Sequence, residues 1–369
     1  MTVTFIAAPL VSPGGVYHSV TELVAAARAE GHDWRALVVA RGWTPAERGL
    51  PAPDGVRVAT AGRRRLAGLR ELTGIISADD AVRAADTIVT LIPQSDLVYA
   101  LHRRRLPPAR WIAYLRGLPW PEPGEAPARV RAVKRAVARL ALGAADERWA
   151  VSEVLARQVG LPAGTPVIPP GIDVDVPLAS ARGDQPNRPF TLGWMGRYEP
   201  DKDPMFFVEL VRATGLRGVM FGSGRLRERL IAAAGPDVQV HGWVDRDDAL
   251  ARMDAYVGTS TREAFGRIPV EAAAFGVPSL LASSYGCAPY LYADDPDLGR
   301  ALVLDKSDPA GTSMAAWSSA ATRLASDVAF RERAIAAARG SAGRLTTTAA
   351  IAAIAHHLTP AGAVSRPSS

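Results

Sequence analysis

Short runs of consecutive apolar residues alternate with longer stretches in which apolar side chains return every three or four positions, and the rhythm persists through most of the chain. The short runs read as buried strands at 3–7, 36–40, 87–92, 111–115 and 148–151, and again at 190–195, 218–221, 238–241, 255–257, 279–282 and 301–304. Helical patterns lie between them, the first over about 16–30. Strand and helix in strict alternation, with strands apolar on both faces, predict parallel sheets covered on both sides, an α/β class. Within 129–139, Val130, Val133, Val137 and Leu140 form an apolar stripe at helical spacing that is expected to pack on a sheet. From residue 312 the chain is Ala-rich and helical with no further strand.

The rhythm breaks once, at the polar R-G-D-Q-P-N-R-P stretch over 182–189, and then restarts. With 369 residues to bury, two cores are expected. The predicted division is a first domain over 1–185, a second over 186–345, and a disordered tail over 359–369 of small residues. At 48% hydrophobic and 22% charged, the composition is that of a globular protein without a membrane span. The opening apolar run lacks a basic leader and reads as a first strand, not a signal peptide. A single cysteine, Cys287, excludes an internal disulfide, and the cytoplasm is the expected location. The net charge is +6, and residues 1–185 carry five of those six units, with clusters at Arg63–Arg65, Arg103–Arg105 and Arg129–Arg139. That surplus makes weak peripheral contact with the inner face of a cell membrane an alternative location. No nucleic-acid-reading motif accompanies it.

Candidate chemistry concentrates in the second half. Residues 259–278 read T-S-T-R-E-A-F-G-R-I-P-V-E-A-A-A-F-G-V-P. Glu263 falls on the predicted strand-to-helix loop and Glu271 in the first turn of a helix starting near Val270, so two carboxylates and free backbone N–H groups face one spot. Such a set suits a hydroxyl-rich, anionic ligand such as a nucleotide sugar; dipole complementation by Glu271 and a solvated Glu263 is the plain alternative. Gly193-Trp-Met-Gly-Arg197 followed by Lys202 brings two cations into one loop, where they could hold a diphosphate or simply pair with Glu199 or Asp201. Gly222-Ser-Gly224 lies between a strand and a helix, but Arg227 stands where a dinucleotide fingerprint needs its third glycine. In the first half, Gly14 and Gly15 link the first strand to a helix and would let a phosphate approach. Asp173 and Asp175 make a weak metal motif, and no metal is expected.

Taken together, these residues resemble the retaining glycosyltransferases of family 4. Four signatures occur in that family's order: Gly14-Gly15, Val167-Ile-Pro-Pro-Gly-Ile-Asp173, Gly196-Arg197 with Lys202, and Glu263 spaced eight residues from Glu271 and followed by Gly276-Val-Pro278. The resemblance spans about 3–355 and implies the GT-B fold, two Rossmann-like doubly wound domains facing across a cleft. It also implies that the last helix, about 346–358, packs back on the first domain. By the same resemblance, Arg197 and Lys202 look like the diphosphate-binding pair, Glu271 like the carboxylate on the nucleotide ribose, and Glu263 like the one on the donor sugar. The backbone of Phe265, Gly266 and Arg267 would cap sugar and phosphate, and Trp243 would lie against the base. The chain departs from the family at Arg116, in Tyr114-Leu-Arg116-Gly-Leu-Pro, where many members carry a histidine; an arginine stays protonated and cannot serve as a base.

The function so implied is transfer of a hexose from a nucleotide-diphosphate sugar, of UDP or GDP type, to an acceptor hydroxyl with retention. No cofactor or metal is expected. The acceptor is expected on the first domain near Tyr17, His18, Gln94, Asp96, Arg116 and Trp120, and is expected to be a small molecule or secondary metabolite; composition rich in Ala, Arg, Gly and Pro points to a GC-rich bacterial genome. Two alternatives stand beside this reading: an envelope polysaccharide or glycolipid transferase at the membrane surface, and a non-catalytic sugar-nucleotide-binding partner, which Arg116 favours. A GT-B epimerase is disfavoured because no acid/base pair stands out.

Overall fold

The computed structural model describes residues 1–12, 14–50, 53–62, 68–122, 124–172, 188–306 and 313–359. The Arg63–Arg65 cluster, Asp173, Asp175, most of the 182–189 break and the tail beyond residue 359 lie outside the described residues. The chain divides into two compact units, one formed by residues 1–171 and 347–369 and the other by 172–346.

The first unit holds a six-stranded parallel sheet of β1 (Val3–Leu10), β2 (Trp34–Arg41), β3 (Val56–Ala61), β4 (Thr87–Thr90), β5 (Arg110–Leu115) and β6 (Glu147–Ala150), in the order β3-β2-β1-β4-β5-β6. The second repeats the scheme with β7 (Thr191–Arg197), β8 (Arg217–Ser223), β9 (Val238–His241), β10 (Ala255–Gly258), β11 (Ser279–Ala282) and β12 (Val303–Leu304), ordered β12-β11-β10-β7-β8-β9. Each is a doubly wound sheet whose strand order reverses between its first and fourth strand. There the helices depart to opposite faces, and a crevice opens beyond the carboxyl ends of β1 and β4, and of β7 and β10. Central strands such as β1 and β10 are buried along nearly their whole length, which is why they read as apolar runs.

The sequence pattern departs from the structure at four elements. β3 sits at the sheet edge and mixes exposed Arg57 and Thr60 with buried Val56 and Ala61, so it lacks an apolar run. The run at 301–304 is mostly the end of the Pro296–Leu302 helix, and only Val303 and Leu304 pair with β11. The helix carrying Glu271 is Arg267–Ala274, so that carboxylate lies in the second turn; Pro269 does not delay the start, because the first turn needs no N–H from it. The stripe on the Ala128–Gly143 helix does not pack on the sheet. Val130, Val133, Val137 and Leu140 are exposed, and the helix buries Ala138, Ala141 and Leu142 instead.

The Thr347–Leu358 helix belongs to the first unit and packs on the Gly15–Ala29 helix. Its end is held by Arg110, whose guanidinium donates to the carbonyls of His357 and Leu358 at 2.9 Å each, a cation on the negative pole of the helix. No helix among the described residues is long and apolar enough to cross a membrane.

Candidate functional site

In the second unit the loops after β7 and β10 meet at the strand-order reversal. Trp194 Nε1 donates to Thr259 Oγ1 (2.8 Å), and the threonine hydroxyl lies 2.9 Å from the carbonyls of Lys202 and Asp203. Thr261 N–H donates to the Asp201 carbonyl (3.0 Å). The 201–203 backbone is thereby pinned to the end of β10. Asp203 adopts a left-handed conformation (φ 43°) and caps the Pro204–Thr214 helix. Lys306 anchors the same knot: its ammonium pairs with the Asp203 carboxylate, donates to the Thr259 carbonyl (2.7 Å) and lies over the Phe206 ring. Burial lowers the Lys306 pKa, and Asp203 opposes that shift.

On this frame Lys202 Nζ stands 2.6 Å from Glu263 Oε2 and 3.6 Å from Asp201 Oδ2, both partners being mostly shielded from solvent. Arg197, largely exposed, pairs with Asp201 at 3.2 Å. Glu199 is taken by Arg225 (2.9 Å). Two cations and two carboxylates thus form one near-neutral group, in which a diphosphate would compete with the carboxylates for the lysine's charge. Glu263 is held by its backbone, which accepts from Gly286 N–H (2.9 Å), beside a buried Tyr285 whose hydroxyl lies 3.0 Å from Ser260 Oγ. Burial and the nearby Glu263 charge raise the Tyr285 pKa.

Gly266 follows with φ 90°, and a Cβ there would meet the Tyr285 ring at 2.6 Å, so both conformation and space require glycine. It is the N-cap of the Arg267–Ala274 helix and supplies no side-chain acceptor to the first turn, whose backbone donors are those of Arg267 and Ile268, Pro269 having none. Phe265 itself is buried, and its carbonyl accepts from Cys287 N–H (2.7 Å), so only its backbone is suited to a ligand. Glu271 pairs with Arg267 one turn earlier (3.2 Å). Gly222 and Gly224 serve close packing: a Cβ on Gly222 would lie 1.8 Å from the Gly196 carbonyl oxygen, and one on Gly224 2.5 Å from that of Tyr198. Trp243, two residues beyond β9, is exposed and donates from its indole to Ser223 Oγ (2.7 Å). The structure thus joins Arg197 to Lys202 through Asp201 and Lys202 to Glu263 directly, with Gly266, Arg267 and Glu271 next along the chain.

Residues 189–327 match the family model described as Glycosyl transferases group 1. Among solved structures, similarity extends over 97% of this chain to Anabaena Alr3699/HepE in complex with UDP and glucose (17% identity, TM-score 0.73, 99% of that chain). It extends equally over 97% of this chain to sucrose-phosphate synthase from Thermosynechococcus elongatus (19%, 0.74, 98%). The UDP-forming α,α-trehalose-phosphate synthase from Burkholderia vietnamiensis is similar over 97% of this chain and 99% of its own (15%, 0.70). The fold is GT-B. No curated protein matches the sequence.

In the first unit of this GT-B chain, Gly14 caps the Gly15–Ala29 helix without a side-chain bond, beside the end of β1. Exposed His18 and Gln94 lie on the two helices that follow β1 and β4. Three of the residues expected around an acceptor are turned inward. Tyr17 is buried edge-on to Trp43. Trp120 is buried with the guanidinium groups of Arg135 and Arg139 over its ring at 5.0 and 5.6 Å, and it offers little surface to a sugar. Asp96 is buried as well; burial pushes its pKa up to about 7, against a hydrogen bond from Thr90. Arg116 donates to Ser19 Oγ (2.5 Å) and stacks over Tyr114 (5.1 Å), tying the end of β5 to the first helix beside a cavity of about 10 Å³, room for roughly one water. Asp201, named from the sequence as an alternative partner of the two cations, pairs with both; sequence reasoning missed the roles of Asp203, Thr259 and Lys306, which meet only through folding.

Proposed function

We propose that the protein is a retaining glycosyltransferase of the family 4 type, moving a hexose from a nucleotide-diphosphate sugar to an acceptor hydroxyl. The observation that carries this is the Lys202–Glu263 pair at the strand-order reversal of the second unit, followed directly by the uncapped helix start at Gly266 and lying within the group 1 match. Lys202, Arg197 and the helix N–H groups would bind the diphosphate and stabilise the charge that grows on it. Glu263 would hold sugar hydroxyls, Glu271 the ribose, and Trp243 the base. The acceptor oxygen attacks the anomeric carbon from the face of the leaving group. Its O–H proton passes to the departing phosphate oxygen as the C1–O bond to phosphate breaks and the bond to the acceptor forms, so an alpha donor gives an alpha product. Positioning and charge suffice because a nucleoside diphosphate is a good leaving group.

The similar Anabaena structure holds UDP and glucose, so UDP-hexoses head the donor panel, followed by GDP-, ADP- and dTDP-hexoses. Release of the nucleoside diphosphate, with product stereochemistry read from the anomeric coupling constant, tests the reading. An inverted product would sink the retaining mechanism, and absence of both release and ligand-induced thermal stabilisation would sink the assignment. The exposed apolar face of the Ala128–Gly143 helix favours, over a small-molecule acceptor, the alternative in which transfer occurs at a membrane surface.

A further inference from the structure

Glu263 lies between β10 and the Arg267–Ala274 helix, on a loop that is fastened from one side by the turn following β11, residues 283–287. Glu263 and Tyr285 form an isolated parallel bridge, Gly286 N–H donates to the Glu263 carbonyl (2.9 Å), and Cys287 N–H donates to that of Phe265 (2.7 Å). Ser284 Oγ donates to the Ser260 carbonyl (2.7 Å). Among these bonds the Tyr285 ring is buried, at 3% exposure. One edge of it fills the space that Gly266 leaves, since a Cβ there would meet Cδ1 at 2.6 Å. Its far end fills the space at Gly258, where a Cβ would meet Cζ at 2.8 Å and the hydroxyl at 3.0 Å. The ring therefore spans the loop from the last residue of β10 to the cap of the helix that bears Glu271. Its hydroxyl lies 3.0 Å from Ser260 Oγ and shares a hydrogen bond with Tyr256. A phenylalanine or leucine would occupy the same volume. Only a phenol also fixes the ring against Ser260, three residues before Glu263, because a buried hydroxyl pulled off its partners is costly.

We propose that Tyr285 is a positioning residue for Glu263: it touches no substrate, and its ring and hydroxyl hold that carboxylate where the donor sugar is met. This deepens the transferase reading and rests on it. Lys202 is held by other contacts, since Thr259 Oγ1 reaches the carbonyls of Lys202 and Asp203 and Lys306 pairs with the Asp203 carboxylate. The two halves of the donor are thus served by separately anchored loops. Loosening Tyr285 shifts the group assigned to the sugar and leaves the cation assigned to the diphosphate in place.

Calorimetric titration compares wild type, Tyr285→Phe, Glu263→Gln and the double variant, each with UDP-, GDP-, ADP- and dTDP-hexoses and with the matching free diphosphates; turnover is read as diphosphate release. Expected for Tyr285→Phe is about tenfold weaker binding of the sugar nucleotide and about tenfold slower release. The free diphosphate should bind within about threefold of wild type and at the same stoichiometry. In the Glu263→Gln background the same substitution should cost nothing further, because it acts through that carboxylate. Ser260→Ala removes the hydrogen bond from its other side and should repeat the pattern, which keeps the test decisive if Tyr285→Phe folds poorly. Equal weakening of sugar nucleotide and free diphosphate, an additive loss in the double variant, or wild-type behaviour would overturn the positioning role and leave the transferase reading standing. A wild type that neither binds nor cleaves any of these sugar nucleotides would overturn both.

Discussion

Replacing Glu263 by glutamine separates the two jobs assigned to the Lys202–Glu263 pair. The ammonium is held at 2.6 Å by Glu263 and at 3.6 Å by Asp201, so an incoming diphosphate competes with carboxylates already in place. At about 4 Å and an effective dielectric near 20, each unit pair is worth roughly 4 kcal/mol before desolvation and side-chain entropy. Net values for partly exposed pairs shrink to about 1 kcal/mol. Glu263→Gln removes one competitor and should tighten UDP binding by about 1 kcal/mol, roughly fivefold, while turnover of the UDP-sugar falls because the amide holds the sugar hydroxyls less well. Lys202→Met should do the opposite for UDP, weakening it by about 1.5–3 kcal/mol, or roughly 10- to 150-fold, the loss of a charged hydrogen bond. Calorimetric titration of UDP and steady-state rates on the same preparations give both readings. If Glu263→Gln weakened UDP as Lys202→Met does, the carboxylate would be supporting the loop and not competing for the lysine.

Four further outcomes follow from other parts of the molecule. Asp96 has its folded pKa raised to about 7 by burial, so its contribution is full below pH 4 and lost as pH rises towards and past 7; at pH 8 Asp96→Asn should be more stable than wild type by up to about 4 kcal/mol, with melting curves converging near pH 4, and parallel curves would refute the shift. Gly222→Ala should depress the melting temperature of the second unit by several degrees, because a Cβ would sit 1.8 Å from the Gly196 oxygen, whereas Gly242→Ala, with open space around it, should lie within about 1 kcal/mol of wild type. Lys306→Met should lower turnover by loosening the 201–203 backbone that carries Lys202, through loss of its contacts to Asp203 and Thr259; unchanged kinetics would show that the anchor does not position the lysine. Chelation by EDTA should leave sugar transfer unaffected, measured as nucleoside diphosphate release.

How far the sequence discloses such a molecule depends on whether the determining contacts are local. Buried parallel strands declare themselves because both faces must be apolar, and the order of strand, loop and helix places Arg197, Lys202 and Glu263 at strand ends without any tertiary knowledge. The edge strand β3 escapes because one edge and part of a face are wet. Helical periodicity reports that a stripe exists but not which way it faces. On the Ala128–Gly143 helix the small residues Ala138 and Ala141, with Leu142, allow close approach to neighbouring elements, and the larger valines are left outside. Tyr17, Asp96 and Trp120 illustrate the same limit for polar and aromatic groups, since residue type sets what a side chain can do and only packing decides whether anything can reach it. Lys306 marks the far end of that scale: 103 residues separate it from Asp203, no spacing rule connects them, and yet that contact fixes the backbone from which Lys202 projects. The residue types of the candidate site are thus legible from local pattern, while the frame that gives them their geometry is written in long-range contacts that a linear reading does not contain.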